Sequence, residues 1–197
     1  MIRIAIVLGS TRPGRLGTAV AGWVKSRASE RGDATFDVLD IADFRLPLLD
    51  EPLPPSFGRY SHAHTKAWSE AVDGFDGYIF VTGEYNHSIP GALKNALDYL
   101  YKEWNNKAAG FVSYGSSGGI RAVEHLRAVA GELQMADVRA QVALPFATEF
   151  ENYRTFLPTA AAEKSLQILF GQVIAWAGAL KTLRPDRARG DDPGVAA

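Results

Sequence analysis

Ile2-Arg3-Ile4-Ala5-Ile6-Val7-Leu8 runs directly into Gly9-Ser10-Thr11-Arg12-Pro13-Gly14-Arg15-Leu16-Gly17-Thr18. The first stretch is almost continuously apolar, as a strand buried on both faces must be. The second is a polar loop with glycines for tight turns. From Leu16 onward the apolar residues Leu16, Val20, Trp23 and Val24 take helical spacing. A buried strand, a glycine loop and a helix in that order open an α/β domain.

The alternation continues along the chain. Strand character recurs at Thr35 to Asp40, Tyr78 to Thr82, Gly110 to Tyr114 and Val138 to Leu144. In the last of these, Arg139 and Gln141 stand between apolar neighbours, the pattern of an edge strand. Helical faces lie between the strands: Tyr60 to Phe75, Leu93 to Trp104, Ala122 to Leu133 and, most clearly, Leu166 to Leu180. Alternating elements imply right-handed crossovers and a parallel sheet covered on both sides. The expected fold is α/β, a flavodoxin-like doubly wound five-stranded parallel sheet of order 2-1-3-4-5 with helices on both faces. Its crevice opens at the carboxyl ends of strands one and three. One domain over residues 1–184 is expected, followed by a disordered tail over 185–197, rich in charge, glycine and proline.

Composition narrows the function classes. The 197 residues are 47% hydrophobic and 22% charged, with a formal net charge of -1. Near neutrality leaves no electrostatic footprint for nucleic acid or a membrane surface, so neither is expected as a partner. The chain contains no cysteine, which excludes disulfides, thiol catalysis and cysteine metal sites. The apolar run after Met1 is too short to span a bilayer and lacks the flanks of a leader, so a cytoplasmic protein is expected. His62 and His64 are two apart, a spacing that does not share a helix face, and no third ligand lies near, so no metal site is expected.

Chemistry is expected where the loops after strands one, three and four meet. In the first loop, helix-start amides favour an anion, Ser10 and Thr18 supply hydroxyls, and Arg12 and Arg15 supply charge. A dianionic phosphate suits that set. The loop lacks the Gly-Lys-Ser/Thr ending of a Walker P-loop and is not Gly-x-Gly-x-x-Gly. A polar turn capped by Thr18 is the plainer alternative. The loop after strand three is Thr82-Gly83-Glu84-Tyr85-Asn86-His87-Ser88-Ile89-Pro90-Gly91. Here Tyr85 offers a flat face to a heterocycle, and Asn86 and backbone amides offer hydrogen bonds to its edge. The loop after strand four, Ser113-Tyr114-Gly115-Ser116-Ser117-Gly118-Gly119, lets backbone approach a ligand closely.

The stretch Glu84-Tyr85-Asn86-x-Ser88-x-Pro90-Gly91-x-Leu93-Lys94-Asn95-Ala96-x-Asp98 resembles the signature of the NADPH-dependent FMN reductases, a family that includes quinone, azo-dye and chromate reductases. Gly9-Ser10-x-Arg12 resembles the same family's phosphate loop. The resemblance implies FMN as cofactor and NADPH or NADH as electron donor. It implies that Ser10, Arg12, Arg15, Leu16, Gly17 and Thr18 surround the FMN phosphate. Glu84, Tyr85, Asn86, His87 and Ser88 would hold the isoalloxazine ring, with Gly115, Ser116, Ser117, Gly118 and Gly119 beside it. Gly83 departs from the family, many of whose members carry proline there.

The function expected from these features is an FMN-dependent NAD(P)H oxidoreductase. It would pass electrons through bound FMN to a quinone, free flavin or similar small acceptor in a ping-pong cycle. No side chain is assigned as a catalytic acid, base or nucleophile, because the cofactor carries the electrons. The alternatives are a flavodoxin-type electron carrier, which this near-neutral charge disfavours, and a redox-sensing protein with structural FMN. A homodimer or homotetramer is expected, with contacts near Trp104 and the helix after Gly119. Lys94, Asn95 and Asp98 are expected to cap, pair or contact a partner subunit. Tyr99 and Trp104 are expected in the core or an interface, and His125 on a solvated helix face. Leu49 to Phe57 and Phe146 to Pro158 are expected to rim the site.

Overall fold

The computed structural model describes residues 1–184. The expected disordered tail, 185–197, lies outside them. Five parallel strands form the sheet: β1 (Ile2–Leu8), β2 (Ala34–Asp40), β3 (Gly77–Gly83), β4 (Ala108–Gly115) and β5 (Ala136–Pro145), in the order β2-β1-β3-β4-β5. The topology is the one the alternation predicts, and each strand lies within two residues of its expected bounds. The central strands β1, β3 and β4 are buried on both faces because helices cover both faces. β5 lies at an edge, and its pairing with β4 shifts register between Ala109 and Phe111.

One face carries α1 (Gly17–Ala28) and α6 (Ala160–Lys181). Val20, Val24, Leu166, Phe170 and Val173 pack there on Ile4, Ile6, Ile79 and Val112. The helix α6 approaches so closely that a Cβ on Gly110 of β4 would stand 2.6 Å from Val173 Cγ2. The other face carries α2 (Ala63–Asp73), α3 (Gly91–Asp98) and α4 (Ile120–Glu132). Trp68, Leu93, Leu97 and Leu126 close that layer over Ala5, Val7, Phe80 and Phe111.

Several elements depart from the expected pattern. The helix through Leu93 stops at Asp98, so Leu100 and Trp104 lie beyond it. Both stay buried all the same, and Trp104 Nε1 donates to Leu97 O at 3.1 Å. Tyr60 precedes α2 rather than sitting on it. Between β5 and α6 the chain forms α5 (Phe146–Glu149) and a hairpin of β6 (Phe150–Glu151) and β7 (Thr155–Phe156) where only a rim loop was expected. Asn152 and Tyr153, both at positive φ, make its turn. The buried Glu149 anchors the segment by accepting from Thr159 N and Oγ1 at 2.8 and 2.9 Å.

His62 also departs from expectation. It is the residue before α2, not within it, so its ring stacks on that of His64 at 5.2 Å and both face Asp50. Among the described residues no helix is long and apolar enough to cross a membrane, and no group of three or more His, Asp or Glu side chains is arranged to hold a metal ion.

Candidate functional site

The strand register brings three loops to one end of the sheet. Leu8 lies beside Val81, and Gly83 beside Tyr114. The loops leaving β1, β3 and β4 therefore start side by side, at the switch point where connections depart in opposite directions.

The first loop is held from within. Ser10 is only 1% exposed, and its Oγ accepts weakly from Arg12 N at 3.4 Å. Arg15 N donates to Arg12 O at 3.2 Å, and Gly14 takes the left-handed conformation the turn needs (φ 68°). The two arginines, alike in the sequence, have different surroundings. Arg15 turns back to bond Ser10 O and the Asp40 carboxylate, and its Nε donates to Thr18 Oγ1 at 3.3 Å. The Arg12 guanidinium makes no hydrogen bond or ion pair among the described residues. A concavity of about 310 Å³ lies over this loop, lined by Arg12, Gly14, Arg15 and Thr18 with Thr11 and Ala42. No carboxylate lines it. Leu16 precedes α1 and Gly17 opens it, so the orphan amides of that helix stand at the same place.

The second loop is a tight turn. Tyr85 N donates to Ser88 O at 2.9 Å and Ser88 N returns to Tyr85 O at 3.0 Å. Asn86 and His87 between them both have positive φ, 49° and 68°. Positive φ is uncommon outside glycine, but Asn and His are among the residues enriched there. The turn is braced from α4. The Glu84 carboxylate, 7% exposed, accepts from Arg121 Nε at 2.6 Å and from the Arg121 and Ala122 amides at 3.2 and 3.4 Å. Glu84 thus caps α4 at its positive end. Arg121 Nη1 also donates to His87 Nε2 at 3.0 Å; because a guanidinium cannot accept, the His87 proton belongs on Nδ1. His125 Nδ1 meets Ser88 Oγ at 3.0 Å. Burial opposes ionisation of Glu84, but the Arg121 pairing and the helix amides outweigh it and hold the carboxyl below its ordinary value.

The third loop wraps the start of α4. Ser113 Oγ donates to Gly118 O at 2.6 Å, and Gly118 N to Gly115 O at 3.0 Å. Gly118 and Gly119 are both left-handed, and a Cβ on Gly119 would stand 2.8 Å from Ser113 Cβ. Ser116 and Ser117 are left exposed at the tip.

Tyr114 joins the loops underneath. Its ring fills the space beside Gly83, where a Cβ would lie 3.3 Å from Cε2, and its hydroxyl lies against Gly17, where a Cβ would stand 2.7 Å from Oη. Burial, with Tyr85 nearby, pushes its phenol up to about 12, so it stays protonated. Ser10 Oγ and Tyr85 Oη are 3.5 Å apart, the one direct side-chain link between the first two loops among the described residues.

All sixteen residues expected at the site thus lie on the three loops or the first turn of α1. The residues that sequence reading missed are Asp40, Tyr114, Arg121 and His125. Arg121 and His125 are four apart on α4, a same-face pair whose spacing was visible. His125 lies on an exposed helix face as expected, and its Nδ1 also bonds Ser88. The expected pairing of Lys94, Asn95 and Asp98 is observed. Lys94 bonds Asp98 at 2.6 Å, and Asn95 bonds Pro47 O and Leu49 N at 2.6 and 3.0 Å.

The set fits a flavin nucleotide. An unpaired guanidinium, helix amides and hydroxyls surround a concavity without carboxylates, and a bare glycine loop faces an aromatic turn across the crevice.

Comparison with known proteins agrees. The family model for NADPH-dependent FMN reductase matches residues 2–149. The chain is 44% identical over 156 residues to the NAD(P)H-dependent FMN reductase ntnL of Nectria sp, covering 75% of this chain and 77% of the relative. It is 33% identical over 141 residues to a 2-hydroxy-1,4-benzoquinone reductase of Burkholderia sp, covering 68% and 73%. Among solved structures, the flavoenzyme NAD(P)H:(acceptor) oxidoreductase FerB of Paracoccus denitrificans superposes with a TM-score of 0.68 over 92% of this chain and 98% of its own; at 21% identity that likeness speaks to fold alone.

Proposed function

The chain belongs to the NADPH-dependent FMN reductase family, FMN-dependent oxidoreductases that use NAD(P)H, and from that premise we propose that it reduces a small quinone or free flavin by a ping-pong cycle. When bound, FMN would supply the two-electron redox chemistry between nicotinamide and acceptor. The protein's residues bind and orient. The observation that carries the reading is the free Arg12 guanidinium over a carboxylate-free concavity at the α1 N-terminus.

Arg12, Ser10, Thr18 and the amides of Leu16 and Gly17 would hold the phosphate. Arg15, occupied by Asp40 and Ser10, would fix the shape of the loop instead. Tyr85, Asn86, His87 and Ser88 would hold the ring from one side, and Gly115 to Gly119 from the other. Glu84 would act through Arg121 by setting the turn. A quinone acceptor is supported by the benzoquinone reductase among the relatives. A homodimer or homotetramer in the cytoplasm completes the proposal, and the exposed Ile120 at the start of α4 is a natural contact.

Initial rates test the cycle. Parallel reciprocal plots at several fixed quinone concentrations are expected; intersecting plots would exclude a ping-pong order. A flavodoxin-type carrier would give no sustained turnover with NADPH and quinone alone.

A further inference from the structure

Beside the concavity over the first loop lies a second cavity of about 370 Å³, and the two share Thr11 and Ala42 in their walls. Its floor is apolar, made by Ile41, Leu46, Ala92 and Ala96. The one charged residue lining it is Arg45, whose guanidinium makes no hydrogen bond or ion pair among the described residues. Arg45 is itself left-handed (φ 46°, ψ 40°), closing the 3-10 turn Ile41–Phe44, a position where glycine or asparagine is the easy occupant. The wall is firm: Asn95 is committed on both amide atoms, to Pro47 O and Leu49 N.

The contrast with the other end of the sheet is informative. There a cavity of about 490 Å³ is lined by Lys107, Lys181 and Arg184 but also by Asp73 and Asp76. Asp76 takes Lys181 at 3.1 Å and Arg184 at 2.5 Å. Among the described residues, Lys107, Lys181 and Arg184 there are answered by protein acceptors, though Lys102, which also lines that cavity, is not; the one cation of the 370 Å³ cavity has no such acceptor.

We propose that this second cavity, with Arg45 at its rim, binds the 2′-phosphoadenosine end of NADPH and so sets a preference for NADPH over NADH. A flat apolar floor suits a purine, and a free guanidinium suits a phosphate dianion bidentately. In Rossmann-type dinucleotide sites a nearby arginine accommodates the 2′-phosphate. The placement is workable. Ala92 is four residues beyond Ser88, so at most about 14 Å of chain separates the cavity wall from the turn proposed to hold the flavin ring. The inference rests on the reading of that turn and of NAD(P)H as donor.

The test is calorimetric titration of the FMN-loaded protein with adenosine 2′,5′-bisphosphate and, separately, with ADP, which lacks the 2′-phosphate. The wild type is expected to bind the 2′-phosphate compound about tenfold or more tightly than ADP, the scale of a charged hydrogen-bonded pair. Arg45→Gly, which removes the guanidinium and suits the left-handed backbone, should abolish the difference; Arg45→Lys should keep part of it. In turnover, Arg45→Gly should raise KM for NADPH about tenfold and leave kcat and the KM for NADH unchanged. Equal binding of the two nucleotides by the wild type, or the same preference in Arg45→Gly, would overturn the proposal. Displacement of FMN by the bisphosphate would also overturn it, by making the cavity part of the flavin site. The same titration on flavin-free protein keeps the tests separate: failure to bind FMN with a preserved Arg45-dependent preference would count against the flavin reading and not against this one.

Discussion

Glu84 and Arg121 join the turn after β3 to the first turn of α4. One carboxylate, 7% exposed, takes the guanidinium and two helix amides together. The pair links two of the three loops that form the crevice, and Arg121 extends it to His87.

Breaking that link should loosen the turn that keeps Asn86 and His87 left-handed. Arg121→Ala is expected to weaken FMN binding about tenfold and to shift the visible flavin band, with Arg121→Lys recovering only part because it cannot span Glu84 and His87 with one planar group. Fluorescence titration and the bound-flavin spectrum measure both. An unchanged affinity and band would show that the turn is set without α4.

The same pair carries a pH dependence. The Glu84 carboxyl lies below its ordinary value in the folded chain, so its stabilisation is fully present above the unfolded value and is lost as pH falls through the folded one. Glu84→Gln should therefore lower Tm at pH 7, and the gap to wild type should close below about pH 4. Thermal melts across pH 3 to 7 would show it; a gap independent of pH would contradict the assignment.

Arg12 and Arg15 should separate experimentally. Arg12→Ala should reduce FMN affinity about tenfold or more with Tm unchanged, because its guanidinium has no partner to lose. Arg15→Ala should lower both, because it strips a partner from Asp40 and from Ser10 O. Paired dialysis and thermal melts distinguish the two. Unchanged flavin retention in Arg12→Ala would remove the phosphate-loop assignment.

Gly119→Ala tests the third loop. Its φ of 72° and the 2.8 Å approach of a Cβ to Ser113 Cβ both oppose a side chain. A destabilisation of about 1–3 kcal/mol is expected by chemical denaturation. A neutral result would mean that the loop can shift without cost.

Far from the crevice, Lys107 is buried with its Nζ donating to Tyr78 Oη at 2.9 Å and Asp73 O at 3.1 Å. Burial pulls its pKa down to about 7. The folded value lies below the unfolded one, so the unfolded chain binds the proton more tightly and stability rises with pH from about 7 to about 10. Lys107→Met removes that titration. The Tm of the variant minus that of wild type should fall as pH rises through this window, and a constant difference would contradict a depressed Lys107.

The topology was legible because the apolar runs of β1 and β3 and the periodic face of α6 each admit one reading. The three loops were legible because each follows a strand and carries its glycines or its aromatic turn in order. What escaped was long-range pairing. Nothing local distinguishes Arg12 from Arg15, and only folding brings Asp40, the last residue of β2, to one of them. Arg121 and His125 looked like an ordinary solvated helix face because their partners Glu84, His87 and Ser88 lie more than thirty positions away. The hairpin at Phe150 to Phe156 was missed because its two-residue strands are too short to show a period. His62 was misplaced because a helix boundary one or two residues off changes which face a side chain takes.

The most direct test of the whole account is the visible spectrum of the purified protein with FMN, followed under anaerobic conditions as NADPH and then a quinone are added. The account predicts a bound-flavin band that bleaches with NADPH and returns with the quinone. No bound flavin, or a bound band that NADPH leaves unchanged while dithionite bleaches it, would contradict it.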